Sequence, residues 1–254
     1  MKRFFILLLA AIIIFSSLVI TGSAANEALP KYIMHAGGVT PRGVVGSNSI
    51  QAMQNSYKNG QYWLELDFEW TSDGHLVCTH DWDAWYTRTY TGTDVPTLAR
   101  FEKLRKTTYG FESPTLKSLI SWLRCHPKAR IITDVKSNNL KAVEIISKYT
   151  DLRDRFIIQI YSPDEYDRVS SLGFKNIILT FYRILPQNIS LHTVKNKNLL
   201  ACTFPASEDY KTAIKTFKNA NIPVYVHTVN DKAEQQKWFD FGVTGIYCDS
   251  IPTK

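Results

Sequence analysis

From residue 32 onward the chain switches repeatedly between two hydrophobic periods. YIMHA (32–36), RIITDVK (130–136), FIIQIYS (156–162), NIILTFY (176–182), LLACTFP (199–205), IPVYVHTVN (222–230) and GIYCDSI (245–251) are short, mostly apolar runs. They are too brief for helices and read as strands buried on both faces. Helical spacing fills the gaps between them. It is clearest over 115–125, where Leu116, Leu119, Ile120 and Leu123 share a face. A helix over 48–59, closed by Gly60, and another over 139–149 fit the same pattern. With a further strand at 62–70, eight strands alternate with helices. That count predicts an α/β chain folded as a closed (β/α)8 TIM barrel, rather than an open doubly wound sheet, for which no Gly-rich dinucleotide turn is present. The chain stops three residues after the eighth strand, so the last helix is expected to be missing or replaced by an N-terminal element.

The strand at 62–70 alternates in an unusual way. Tyr62, Leu64, Leu66, Phe68 and Trp70 fall on one face, and Glu65, Asp67 and Glu69 on the other. A buried ladder of acids is costly, and a cation is the usual remedy. Ser72-Asp73-Gly74 supplies a turn. The returning segment HLVCTHD (75–81) then brings His80 and Asp81 back toward the carboxylates. The hairpin reads as a hard divalent cation held by oxygen ligands beside a histidine. The competing reading is a strand on a solvated sheet face; Glu69 is either a third acid near the metal or, as preferred, a solvated strand end.

Barrel enzymes carry their reactive groups at the C-terminal ends of strands. Those ends hold His35; Glu65, Asp67 and His80; Asp134 and Lys136; Gln159 and Tyr161; His227, Thr228 and Asn230; and Asp249. Three histidines, four carboxylates and a lysine at one rim exceed what a core requires.

At this point the chain resembles a known family. His35-Ala36-Gly37-Gly38, then Asn48-Ser49 opening a helix, then ELDFEWTSDGHLVCTHD is similar to the glycerophosphodiester phosphodiesterases. Their pattern runs HRG, ENT at a helix start, E-x-D, T-x-DG and HD. VYVHTVND and GVTGIYCD resemble that family's last two strands, so the likeness spans 32–251. The HAGG form is also similar to exported bacterial relatives grouped with phosphatidylinositol-specific phospholipase C. The resemblance implies metal ligands at Glu65, Asp67 and Asp134, the last in place of a Glu, and one divalent cation, Ca²⁺ or Mg²⁺. It implies His35 and His80 as the acid–base pair. Lys136 would make a second positive contact to the phosphate, and Asp81 would orient His80. Three positions depart from the pattern. The family Arg is Ala36, the Glu of ENT is Ser47, and a Trp near the seventh strand end is His227. His227 is either a pocket wall or a contact to a polar head group or phosphate. Asp249 is expected to fix barrel closure.

The chain has 254 residues, 44% hydrophobic and 13% aromatic, enough for one sizeable domain. Its first 25 residues carry Lys2 and Arg3, an apolar stretch from Phe4 to Ile20 and the small run Ser23-Ala24-Ala25. They predict a signal peptide cleaved after Ala25, with an uncleaved membrane anchor as the alternative. The barrel domain is then 26–254 and the protein secreted or held in the cell envelope. The net charge is +7, and 28 basic against 23 acidic residues remain without Lys2 and Arg3. That excess suits an anionic substrate or surface. With no basic run or recognition module, it does not suit nucleic acid. Cys78, Cys125, Cys202 and Cys248 form no C-x-x-C pair and read mostly as buried free thiols, with room for one disulfide. A Tyr- and Thr-rich insertion, 82–112, holds Trp82, Trp85, Tyr86, Tyr90 and Tyr109, either packed over the barrel mouth or serving as a lid or a lipid- or sugar-facing surface.

The expected activity is metal-dependent hydrolysis of a glycerophosphodiester or related lipid or polymer phosphodiester by two histidines. The rivals are cleavage through a cyclic phosphate and a silent head-group- or glycan-binding barrel. An uncleaved leader would place the site at a membrane surface.

Overall fold

A computed structural model describes residues 28–83, 94–106 and 110–251. The leader at 1–25 and the aromatic residues Trp85, Tyr86, Tyr90 and Tyr109 lie outside the described residues.

Eight parallel strands form the barrel: β1 (Tyr32–Met34), β2 (Trp63–Trp70), β4 (Arg130–Val135), β5 (Phe156–Ile160), β6 (Ile177–Thr180), β7 (Ala201–Pro205), β8 (Val224–His227) and β9 (Gly245–Cys248). Their neighbours follow chain order, and β1 closes the ring by pairing with both β9 and β2. The intervening β3 (Leu76–Cys78) is the return of the hairpin, antiparallel to β2 with Phe68 opposite Cys78. The fold is therefore the (β/α)8 barrel that the alternating periods predict.

Period two decides which side chains enter the barrel. Ile33, Trp63, Ile132, Ile157, Ile178, Ala201, Tyr225 and Tyr247, one from each strand, form a buried floor. Leu64, Leu66, Phe68 and Ile131 point the other way and pack beneath the helices. Each fully buried aliphatic side chain contributes about 1.5–3 kcal/mol. Two residues beyond each floor position, toward the C-terminal rim, come His35, Glu65, Asp134, Gln159, Thr180, Thr203, His227 and Asp249. The polar layer thus rests on an apolar plug.

Several helices start on side-chain caps. Ser49 accepts from the Ala52 amide at 3.1 Å ahead of Ile50–Lys58. Thr115 and Ser118 cap one another's amides ahead of Leu116–Cys125. The insertion contains an unanticipated helix, Leu98–Leu104, capped by Thr97. Its Phe101 is fully buried against Val77 and meets Trp82 edge-on at 6.2 Å, so this part of the insertion is packed. All four cysteines are free thiols, but Cys125 is exposed at a helix end rather than buried. No helix follows β9 among the described residues, and none of those residues forms a helix long and apolar enough to cross a membrane.

Candidate active site

Strands β2 and β4 run side by side with Asp67 opposite Asp134, and Glu65 lies one inward step below Asp67. One oxygen from each of the three carboxylates falls within 4.8 Å of the others. Glu65 and Asp67 are only 4% and 2% exposed, so their repulsion is poorly screened by water. Lys136, at the end of β4, answers two of them: its Nζ lies 2.5 Å from Asp67 Oδ1 and 2.9 Å from Asp134 Oδ2. Burial works against the ammonium, but the two carboxylates outweigh it and hold Lys136 protonated well above its ordinary range.

Asp134 also accepts from the hydroxyls of Tyr161 at 2.5 Å and Tyr182 at 2.9 Å. Burial favours its neutral form, yet Lys136 and the two tyrosines hold it below the usual carboxylate range. Glu65 has weaker support, the Ala36 amide at 2.9 Å. Burial and the neighbouring Asp67 push it up to about 8. Three hard oxygen donors with one of them forced toward protonation fit a divalent cation of the Ca²⁺ or Mg²⁺ kind.

Local backbone conformations set these groups. Asn48 sits in the left-handed region, φ 47°, which asparagine tolerates better than most residues. There its Nδ2 donates to Asp67 Oδ2 at 2.7 Å while its Oδ1 accepts from the Asp67 amide at 2.9 Å. Ala36 is also left-handed, φ 47° and ψ 35°, which turns its amide to Glu65. Ser47 bonds to the Ser49 hydroxyl at 2.9 Å.

The histidines face the same cavity. His35 Nδ1 lies 2.8 Å from Asp249 Oδ1. Asn230 grips Asp249 twice, donating to Oδ2 at 2.6 Å and accepting from its amide at 2.8 Å. Burial disfavours the imidazolium, but the Asp249 hydrogen bond and the field of Glu65 overcome it and raise His35 to about 9. His80 Nδ1 lies 2.6 Å from Asp81 Oδ2. Carboxylates only accept, so each Nδ1 carries the proton and Nε2 remains for chemistry. His227, on β8, is buried to the point that its pKa falls to about 4, and it stays neutral. His35, His80, Glu65, Asp67, Asp134, Lys136 and His227 all line one cavity of about 340 Å³. Glu69 stands outside it, half-buried and accepting from the Trp70 amide at 3.3 Å.

Several partners have no counterpart in the sequence pattern. Tyr182 carries no sequence signal of its own, Tyr161 and Asn230 read only as strand ends, and Asn48 only as a helix start. Asp249 does straddle the β1–β9 seam, as closure requires, but it also grips His35. The available signal was position: Asp249 lies two residues above a floor residue, as do the other polar-layer groups, and Tyr161 and Tyr182 lie two residues above Gln159 and Thr180.

Comparison with known proteins bears on the family and the fold. The chain is 21% identical over 254 residues to a glycerophosphodiester phosphodiesterase of Bacillus subtilis, covering 89% of this chain and 86% of that one. A glycerophosphodiester phosphodiesterase of Parabacteroides distasonis shares the fold with a TM-score of 0.67 at 20% identity, over 86% of this chain and 92% of that one. A phosphodiesterase of Oleispira antarctica, solved with the product sn-glycerol-3-phosphate, gives a TM-score of 0.64 at 14% identity, over 87% and 93%. The Glycerophosphoryl diester phosphodiesterase family matches residues 31–253, so the chain belongs to this family of phosphoric diester hydrolases.

Proposed function

We propose that this chain is an exported, metal-dependent phosphodiesterase that hydrolyses a glycerophosphodiester or a related envelope phosphodiester to an alcohol and a phosphomonoester. The carrying observation is the meeting, in one cavity, of two histidines braced by carboxylates with a three-carboxylate cluster. Glu65, Asp67 and Asp134 are the residues that would hold the cation, and Asn48 fixes the angle of Asp67. When bound, a divalent ion would supply positive charge to a non-bridging phosphate oxygen.

The chain's own groups account for the rest. Lys136 places a second positive charge at the cavity, where an anionic phosphate is attracted and oriented. His35 and His80 divide the proton transfers through their free Nε2 atoms. One takes a proton from the attacking hydroxyl or water, and the other gives one to the leaving alkoxide. Asp249 and Asp81 fix each ring's tautomer. The product bound in the Oleispira relative, a glycerol phosphomonoester, supports water as the final acceptor. Export rests on the leader's charge, apolar stretch and small-residue end.

The test is phosphorus NMR of residues 26–254 with glycerophosphocholine and glycerophosphoglycerol, each with Ca²⁺, Mg²⁺ or a chelator. A monoester signal that the chelator abolishes is expected, as is its loss in folded His80→Ala. Turnover at the wild-type rate in His80→Ala would defeat the two-histidine mechanism. A persistent cyclic phosphate would replace water attack with internal attack.

A further inference from the structure

The polar layer of the barrel is divided by charge. Its charged side belongs to β9, β1, β2 and β4, with Asp249, His35, Glu65 and Asp134. Across the barrel, β6, β7 and β8 contribute Thr180, Thr203 and His227, with Tyr247 rising from the floor on β9. Not one of these four side chains is ionised near neutral pH: burial keeps His227 neutral and raises the Tyr247 hydroxyl well above its ordinary range. All four carry a buried polar atom without a hydrogen-bond partner in the protein: Thr180 Oγ1, Thr203 Oγ1, His227 Nε2 and the Tyr247 hydroxyl. Thr180 and Thr203 stand opposite one another in the β6–β7 register. The His227 ring lies 6.0 Å from that of Tyr247. Thr180, His227 and Tyr247 line the same cavity as the carboxylates and histidines.

Unpartnered buried polar groups are rare, and each demands an explanation. Three of the four, Thr180, His227 and Tyr247, line the cavity beside the reaction centre and form a wall of neutral donors and acceptors. We propose that this wall is a hydroxyl-reading subsite, and that the alcohol seated against it is an uncharged polyol or sugar. The inference rests on the phosphodiesterase reading for the adjoining phosphate. An acyl chain would leave the three cavity-lining atoms unpaired. An ammonium head group would exchange water for neutral groups that offer no counter-charge on this wall. A polyol supplies donors and acceptors together, which hydroxyl and neutral imidazole groups match.

The test compares kcat/KM for glycerophosphodiesters differing in one alcohol: glycerophosphoinositol and glycerophosphoglycerol against glycerophosphocholine and glycerophosphoethanolamine. The wild-type protein should favour the hydroxylated pair by about tenfold or more, because sites built to bond a hydroxyl reject analogues that lack it. Thr180→Val and Tyr247→Phe should bring that ratio toward one, and Thr180→Ser should restore it. Equal kcat/KM across the four, or a ratio unmoved by both substitutions, overturns the subsite. Failure to cleave any of the four overturns the phosphodiesterase reading instead. Saturation-transfer NMR with free myo-inositol and with choline then decides the subsite alone. Saturation of the inositol protons by the wild-type protein, abolished in the Thr180→Val, Tyr247→Phe double variant, upholds it. Equal saturation of both ligands, or an inositol signal that the double variant leaves unchanged, refutes it.

Discussion

Glu65 shows how the charge balance of the site reaches solution behaviour. Burial and Asp67 lift it from an ordinary 4.5 to about 8, and His35 rises from 6.5 to about 9 against its own burial through Asp249 and Glu65. Both folded-state values exceed the unfolded ones, so the folded chain holds protons more tightly. The stability these groups contribute is present below the unfolded values and lost as pH rises through the folded ones. Without a cation, the melting temperature should therefore fall from pH 6.5 to 9. A cation requires Glu65 ionised, so its affinity should climb by up to about tenfold per pH unit below 8 and then level off. Calorimetry with chelator and with saturating Ca²⁺ or Mg²⁺ checks both: the cation should flatten the pH dependence, and a flat cation-free profile would contradict the argument. Asp249 reaches the chemistry through His35. Asp249→Asn should lower kcat by roughly 10²–10³ with little change in KM, since proton transfer typically contributes 10²–10⁴-fold. Proton NMR should find the His35 titration moved down; an unmoved titration would remove Asp249 from the mechanism.

At the scale of elements, strand periodicity made the acidic hairpin legible, because Glu65 and Asp67 must share a face wherever β2 lies. Asp134 and Lys136 were legible as a strand end. What brings them to Asp67 is the register of β2 against β4, which no local pattern encodes. Tyr161 and Tyr182 were harder still, since they reach Asp134 from β5 and β6, and a tyrosine at a strand end commonly only packs. The insertion's helix at Leu98–Leu104 was hidden by the surrounding Tyr and Thr residues, although Thr97 is an ordinary N-cap. Asn48 joins two elements, the start of helix Ile50–Lys58 and the middle of β2. Asn48→Ala removes both bonds to Asp67 and puts a β-carbon without compensating bonds at positive φ; Asn48→Gly removes the bonds but relaxes the backbone. A buried amide left unpaired costs about 1–3 kcal/mol, and the left-handed backbone roughly 1 kcal/mol more for alanine. Denaturant titration should place Asn48→Ala below Asn48→Gly and both below wild type, with both variants weakened in cation affinity. Wild-type cation binding in Asn48→Gly would show that Asp67 keeps its angle unaided.

The whole molecule depends on one seam. Eight strands were countable from the sequence, but closure is a long-range event: β1 must meet β9 across nearly the full chain, Tyr32 facing Ile246. The active site crosses that seam, because His35 follows β1 and Asp249 follows β9. Gly245 opens β9 where space is short. A β-carbon there would lie 2.4 Å from the Tyr225 ring and 2.8 Å from the carbonyl oxygens of both Pro30 and Lys31. Its φ is not left-handed, so glycine is required for room rather than for backbone freedom. Two of the three obstacles are backbone, and the third is a fully packed floor ring whose hydroxyl is tied to the Pro30 carbonyl at 2.7 Å. None can swing aside as a surface side chain would. Gly245→Ala should therefore behave as overpacking, costing about 1–3 kcal/mol, or a fall of roughly 3–10 °C in melting temperature for a barrel of this size. Strain at the start of β9 is transmitted along a stiff paired strand to Asp249, so kcat should fall even well below the melting transition. A variant that melts lower yet keeps wild-type kcat would mean that the rim is insulated from the floor, and that closure and catalysis are separate properties of the barrel.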